Sequence, residues 1–171
     1  TTKEMQRHNP RAPFYKMYRF ILTDLNHAEE YLANYTRPDK NLPDLSVVYG
    51  LKARLWMEMA SRFDQSSADL AAAVAAEDSA SIEYDKLGIT TARECYEKAR
   101  TYARKAVSGY SPVTEAQWLS TQDGFNKDNQ AWMWKLGYTT REQISYIYYT
   151  FTSTVTSETN WGLAGTYGAT R

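Results

Sequence analysis

The sequence predicts a mainly α-helical protein in which antiparallel helix pairs pack together, followed by a loop-rich, partly extended C-terminal region. Apolar residues recur at the spacing of one helix face in three segments, which predicts helices over 14–34, 46–62 and 91–108. Helix signals then fade, while tyrosine and tryptophan become more frequent. At 171 residues we expect a single domain, with a helical-repeat part over 14–110 and an irregular, aromatic-rich part over 111–171.

The first predicted helix has apolar residues separated by gaps of three and four: Phe14, Met17, Ile21, Leu25, Ala28 and Leu32. Pro13 suits the start of a helix because its fixed φ is already helical, and Pro38 prevents continuation beyond the end. We therefore expect a helix over 14–34 with Leu25 buried.

The second predicted helix, 46–62, carries a second apolar stripe: Val48, Leu51, Leu55 and Met59. Charged residues fall mostly on the opposite side: Lys52, Arg54, Glu58 and Arg62. A short connection that contains Pro43 joins it to the first helix, so the two most simply pack antiparallel and bury their stripes. Leu55 is expected in this core.

The third predicted helix, 91–108, opens with Thr91 and Glu94 at capping-box spacing, and Gly109 is expected to end it in the left-handed conformation. Its stripe is rich in small residues: Ala92, Cys95, Ala99, Tyr102, Ala103 and Ala106. Small side chains let helix axes approach closely, as in helical repeats, so we expect Ala103 buried and Cys95 inert in the core.

Residues outside these helices are predicted to be less regular. The segment 64–90 reads as an insertion with one or two Ala-rich helical turns. Residues 114–119 can form a short capped helix, and 130–136 alternates enough to suggest an extended segment. Residues 146–155 are rich in β-branched and aromatic residues, and 161–168 is a loop punctuated by glycine.

Composition excludes several classes of function. Twenty basic and twenty acidic residues leave no net charge, and no long Lys/Arg cluster is present, so nucleic acid is not an expected partner. One cysteine allows neither an internal disulfide nor a multi-cysteine metal site. The oxygen-rich segment 123–129 matches no strict calcium loop, and we predict no metal and no cofactor. No apolar run approaches the roughly 20 residues that span a bilayer.

Several short motifs occur in the order seen in the SusD/RagB family, and the chain resembles that family over roughly residues 10–140. The order, rather than any single motif, carries the resemblance: Pro10-Arg11-Ala12-Pro13, Tyr18, Ile21, Asp24-Leu25, Ala28-Glu29 and Leu32, then Gly50-Leu51-Lys52-Ala53-Arg54-Leu55, then Ala99, Ala103, Ala106-Val107 and Ser108-Gly109-Tyr110, and lastly Trp118 and Trp132 to Leu136.

This resemblance implies tetratricopeptide-like helix pairs that support an irregular ligand-binding part. It further implies a lipoprotein on the outer-membrane surface of Bacteroidetes that captures oligosaccharides or polysaccharides and caps a SusC-like TonB-dependent transporter, without a catalytic residue. Contact with the membrane is then expected only through a lipid anchor. The lipid-bearing cysteine of the family is absent from this sequence, so we expect the chain to be a fragment of a larger SusD-like protein.

Two other functions stay open: a tetratricopeptide-like adaptor that binds a peptide or protein in a concave groove, and, more remotely, a glycoside hydrolase. The best local group for acid/base chemistry lies on the first helix: Asp24, His27, Glu29 and Glu30. Charged residues at this spacing are common on a solvated helix face. We therefore do not expect an enzyme.

Aromatic residues outside the helical stripes are the candidate glycan-binding residues: Trp161, Tyr167 and Trp134. A sugar can stack its C–H face on such a ring, while nearby polar groups hydrogen-bond its hydroxyls. Trp161 ranks first because Asn160 and Gly162 flank it in a polar, glycine-rich stretch. The other tryptophans are assigned to the core: Trp56, Trp118 and Trp132.

Overall fold

A computed structural model describes residues 11–78, 84–119 and 129–135. They form five α-helices and a single 3-10 turn, with no strand in those three ranges. The helices are α1 (Phe14–Tyr31), α2 (Leu45–Gln65), α3 (Ser67–Ala75), α4 (Ala92–Val107) and α5 (Glu115–Leu119), and the 3-10 turn Ala76–Asp78 follows α3. The mainly α-helical fold class is confirmed. The chain divides into two compact units, Thr1–Lys135 and Leu136–Arg171, and every described residue belongs to the first.

The helix starts follow the capping chemistry of the sequence. The Asp44 carboxylate accepts hydrogen bonds from the backbone N–H groups of Ser46 and Val47 at 3.0 and 3.2 Å, which starts α2. The predicted capping box of Thr91 and Glu94 is confirmed at the start of α4. Side-chain caps therefore set the starts of α2 and α4, and each start lies within one residue of its predicted position.

The second helix extends into the predicted insertion, and the Ala-rich stretch that follows is helical. Helix α2 continues to Gln65, and Ser66 then caps α3 by accepting a hydrogen bond from the Asp69 backbone N–H at 3.2 Å. Arg62 also forms an ion pair with Asp69 at 2.7 Å, which ties the end of α2 to the start of α3. The Ala-rich stretch is therefore a short helix packed beside α2.

Helices α1 and α2 form an antiparallel pair, as predicted. The rings of Phe14 and Phe63 lie 6.3 Å apart, so the start of α1 meets the end of α2. Near the other end, the Lys52 ammonium donates to the Asn26 side-chain oxygen at 2.6 Å. Residues early in α1 thus contact residues late in α2, and residues late in α1 contact residues early in α2. This order of contacts requires antiparallel helix axes.

Helices α2 and α4 form the second antiparallel pair, and this is the more extensive contact. The Lys98 ammonium lies 4.4 Å from the centre of the Trp56 ring, and the rings of Tyr49 and Tyr102 are 6.0 Å apart. Helix α2 therefore lies between α1 and α4. The core combines its side chains with those of its neighbours and of the segment before α4: Leu22, Leu55, Trp56, Met59, Ala60, Phe63, Ala73, Leu87, Ile89, Cys95 and Ala99.

The buried face of α4 differs from the predicted stripe at one residue. The side chains of Cys95, Ala99 and Ala106 are buried, whereas Ala103 is exposed, so its predicted burial is wrong. The residues of α4 that pack against the core, Cys95, Ala99, Tyr102 and Ala106, are separated by gaps of three and four. Ala103 follows Tyr102 directly and therefore falls outside this series. One residue is a rotation of roughly 100°, which turns its side chain away from α2.

The buried face of α1 is also rotated from the predicted one. Leu22 is buried and Leu25 is only partly buried, while Met17 and Ile21 are exposed. Apolar residues occur on two neighbouring faces of this helix, so periodicity alone could not select the face that meets α2. The prediction that Leu25 is buried is therefore wrong as stated, although Leu25 does pack against the core.

Helix α2 has a polar residue inside and an apolar residue outside. Lys52 is only 1% exposed, although its charge placed it on the predicted polar side, and Leu51 is 41% exposed. Leu55 and Trp56 are buried, at 8% and 2% exposure, as expected. The Lys52 ammonium bonds to the Glu29 carboxylate and to Asn26, and these partners compensate the cost of its burial.

We expect Leu55→Asp to destabilise the fold by roughly 3–5 kcal/mol, because it places an unpaired carboxylate between helices. Leu51→Asp is the matched control, since it makes the same chemical change one turn earlier on the exposed side of α2. Urea unfolding followed by circular dichroism measures both variants. Equal stability of the two would contradict the placement of the α2 core face.

Candidate functional site

Trp134 is the one predicted binding residue that the structure describes; Trp161 and Tyr167 lie outside the described residues. Its side chain is 48% exposed, and its indole N–H donates to the backbone carbonyl of Asn41 at 3.0 Å. The ring is thus fixed at one edge and open to solvent over about half of its surface. Of the tryptophans assigned to the core, Trp56 is buried, Trp132 is partly buried, and the side chain of Trp118 lies outside the described part.

The segment 129–135 carries Trp134 and folds back onto the connection between α1 and α2. The backbone N–H of Lys135 donates to the carbonyl of Lys40 at 3.0 Å, and the Lys40 ammonium bonds to the carbonyl of Asn129. The segment begins with a turn at Gln130 rather than with the extended conformation predicted from its alternation. Hydrogen bonds to a loop, rather than pairing in a sheet, determine its path.

Arg37 is the residue that joins this segment to the helices. Its guanidinium donates to the Met133 carbonyl at 2.6 Å and to the Tyr110 hydroxyl at 2.9 Å, and it forms an ion pair with Asp44 at 3.0 Å. The Tyr110 hydroxyl lies 2.7 Å from the Ser46 hydroxyl. Because Asp44 and Ser46 belong to the start of α2, Arg37 couples the Trp134 segment to a helix end.

Packing leaves little room where this segment crosses α2. A side chain at Gly50 would bring its first carbon within 3.3 Å of the Met133 sulfur. Glycine at this position therefore allows the segment to lie close to the helix. Beyond α4, Gly109 has a φ of 88°, a left-handed conformation that confirms the predicted end of that helix and directs Tyr110 towards Arg37.

A second arrangement, which sequence reasoning missed, is a cleft of about 490 Å³ beside α2 and α4. We call it the lysine cleft, and the residues that define it are Asn26, Trp56, Lys86, Lys98, Tyr102 and Lys105. Lys98 donates to the backbone carbonyls of Leu87 and Gly88 at 2.8 and 3.2 Å. In the sequence, the cleft is indicated only by three lysines, one shortly before α4 and two within it. These lysines come together because of the backbone conformation of residues 84–91, which no sequence pattern predicts.

The acid/base group considered on α1 does not converge on a site. Asp24, His27 and Glu30 are exposed, and Glu29 instead bonds to the buried Lys52. The His27 ring lies against Tyr31, with ring centres 6.3 Å apart. These contacts are those of a helix surface and a buried ion pair.

Within the described ranges, no group of three or more His, Cys, Asp or Glu side chains is arranged to hold a metal ion. No helix in the same ranges is long and apolar enough to cross a membrane. The segment 123–129, which was weighed as a cation loop, lies outside the described residues except for Asn129.

Comparison of the chain with protein-family models, with curated proteins and with solved structures finds no match. Its function is therefore argued from the geometry of its residues and from the motif order in its sequence.

Replacement of Arg37 tests the connection to the Trp134 segment. Arg37→Met keeps much of the side-chain volume but removes every hydrogen bond, so we expect a loss of about 1.5–3 kcal/mol in stability and faster amide exchange over 129–135. Arg93→Met is the control, because Arg93 forms a largely exposed pair with Glu97. Unchanged exchange in the Arg37 variant would show that the segment is held in some other way.

The thiol of Cys95 should be unreactive in the folded protein. Burial raises the pKa of the Cys95 thiol from 9.0 to about 11, while Lys98 opposes that increase. Because the folded state holds the proton more tightly than the unfolded state, the contribution of this group to stability falls as pH rises from about 9 to 11. Ellman's reagent at pH 8 should react slowly with native protein and rapidly after urea denaturation. Rapid reaction of the native protein would contradict the burial of this thiol.

Proposed function

We propose that this chain captures glycans without catalysis at a bacterial cell surface and passes them to a SusC-like TonB-dependent outer-membrane transporter. The observation that carries the binding part is Trp134, a half-exposed ring tethered at its indole N–H to Asn41. The order of motifs that resembles the SusD/RagB family supports the surface location, the lipid anchor and the transporter partner.

The chemistry around Trp134 suits a neutral sugar. An aromatic face provides apolar contact for the C–H face of a pyranose ring, and nearby carbonyl, amide and hydroxyl groups can hydrogen-bond its hydroxyls. Asn41 and Tyr110 belong to this surrounding surface because they contact Trp134 or the arginine that holds its segment. A tethered ring also loses little freedom when a ligand binds, which favours affinity.

The carboxylates near this segment already have partners, which supports a binding role rather than a hydrolytic one. Asp44 pairs with Arg37 and caps α2, and Asp39 accepts a hydrogen bond from the Asn41 backbone N–H at 2.7 Å. A glycosidase requires two carboxyl groups that face each other across the sugar, one of them as an acid. Carboxylates committed to loop and helix structure are poorly suited to those roles.

A tetratricopeptide-like adaptor is the second candidate function. The lysine cleft favours it, since a charged groove beside packed helices is a surface on which a peptide can dock. Binding of a peptide with no measurable affinity for any glycan would favour the adaptor over glycan capture.

Replacement of Trp134 tests the glycan-binding role. A ring stacked on a sugar contributes on the order of 1–3 kcal/mol, by analogy with aromatic anchors at other interfaces, so Trp134→Ala should weaken binding about fivefold or more. Calorimetry on a panel of plant and host glycans measures the affinity. Trp161→Ala and Tyr167→Ala, examined in parallel, test the other two predicted residues.

Tyr31→Ala is the matched control, because Tyr31 is a strongly exposed aromatic residue on α1. It should bind as the wild type does, and circular dichroism should show that all variants are equally folded. Incubation with the same panel should release no reducing sugar. Equal affinity of wild type and all three aromatic variants would refute the site, and sugar release abolished by one carboxylate substitution would replace the proposal with an enzyme.

A further inference from the structure

The lysine cleft has a net positive charge, because its lysines outnumber its carboxylates. Glu94 and Glu97 lie at its edge together with three lysines, which leaves one excess positive charge among the lining residues. Both carboxylates have other partners: Glu94 accepts from the Thr90 and Thr91 backbone N–H groups, and Glu97 pairs with Arg93. Nearby Glu77 is likewise occupied by the backbone N–H groups of the segment that follows it.

Lys98 and Lys105 are the cations best placed to meet a ligand. Two of the three Lys98 donors bond to backbone carbonyls, so one remains. Burial lowers the pKa of the Lys98 ammonium, and the nearby Cys95, Glu94 and Glu77 oppose that decrease. The Lys105 ammonium lies 5.1 and 5.2 Å from the Tyr49 and Tyr102 ring centres, and none of the described carboxylates forms an ion pair with it.

Trp56 lines the cleft and carries a buried hydrogen-bond donor that has no partner among the described residues. The side chain is 2% exposed, and the donor is its indole N–H. A buried donor without a partner costs about 1–3 kcal/mol. The Lys98 ammonium lies 4.4 Å from the centre of this ring, so a ligand that binds Lys98 comes close to the indole.

We propose that the lysine cleft binds the carboxylate of a sugar acid, with Lys98 and Lys105 holding the carboxylate and Tyr102 carrying the sugar ring. The indole of Trp56, which lies beside the Lys98 ammonium, reports occupation of the cleft. The hydroxyl of Thr101, which also lines the cleft, can accept from a sugar hydroxyl. This site differs in residues from the Trp134 surface and does not rest on the proposed function.

Charge and size together select this ligand class. One excess positive charge matches a carboxylate monoanion, whereas a phosphate dianion would leave one negative charge uncompensated in the cleft. A volume of about 490 Å³ lies within the range of small-molecule sites. Neutral sugars leave both lysines without an anionic partner, so they should bind far more weakly.

The test is a titration of the ¹⁵N-labelled full chain with D-glucuronate, D-glucose and D-glucose 6-phosphate, followed by nuclear magnetic resonance. Trp56→Phe assigns the indole N–H signal of Trp56. Glucuronate should shift that signal saturably, while glucose should not and glucose 6-phosphate should bind more weakly. Lys105→Gln, which changes an exposed side chain, should weaken glucuronate binding roughly tenfold through the loss of one charge-assisted contact.

Arg104→Gln is the matched control, since it removes the same charge from an exposed position on α4 that does not line the cleft. It should bind glucuronate as the wild type does, and so should Trp134→Ala, which separates this site from the proposed glycan surface. The proposal is overturned by the absence of a saturable shift, by equal binding of glucose, by tighter binding of glucose 6-phosphate, or by equal losses in the Lys105 and Arg104 variants. Displacement of glucuronate by an acidic peptide at lower concentration would assign the cleft to peptides instead.

Discussion

The close approach of α4 to α2 is the constraint on which the described structure depends. Helix α4 presents Cys95, Ala99 and Ala106 to its neighbour, and these small side chains allow the larger ones of α2 to fill the space between the helices. Trp56 and Met59 supply that volume. A larger residue at Ala99 would separate the helices, and the lysine cleft and the core would be lost together.

The existence of the three long helices, their starts and the end of α4 could be predicted because their causes are local. Pro13, the side-chain caps and the left-handed Gly109 act within a few residues of the boundary that they set. The end of the first helix was predicted wrongly, because α1 ends at Tyr31 rather than at residue 34 and well before Pro38. The face that each helix buries against its neighbours was less predictable. Met17 and Leu51 fit an apolar period but are exposed, since a second helix contacts only part of an apolar stripe and the sequence does not show which part.

Buried cations were the main feature that the sequence could not reveal. Lys52 is buried because Glu29 and Asn26 reach it from α1, and Arg19 is buried because it donates to the backbone carbonyls of Tyr84 and Asp85. Each cation has partners more than twenty residues away. A local pattern therefore assigns such residues to the solvent side, and only the tertiary arrangement supplies the partners that make burial tolerable.

For the Trp134 site, the sequence predicted the aromatic residue but not the contacts that hold it in place. Trp134 stood out because it lies outside the helical stripes, yet its position depends on Arg37, which is almost a hundred residues earlier and bonds to the Met133 carbonyl. Binding surfaces are commonly carried on loops, and a loop that moves freely must lose that freedom when it binds a ligand. Here Arg37 connects the loop to Tyr110 after α4 and to Asp44 at the start of α2. In the proposed glycan site, the helix pairs fix the ring before a sugar binds, which leaves more of the stacking energy as affinity.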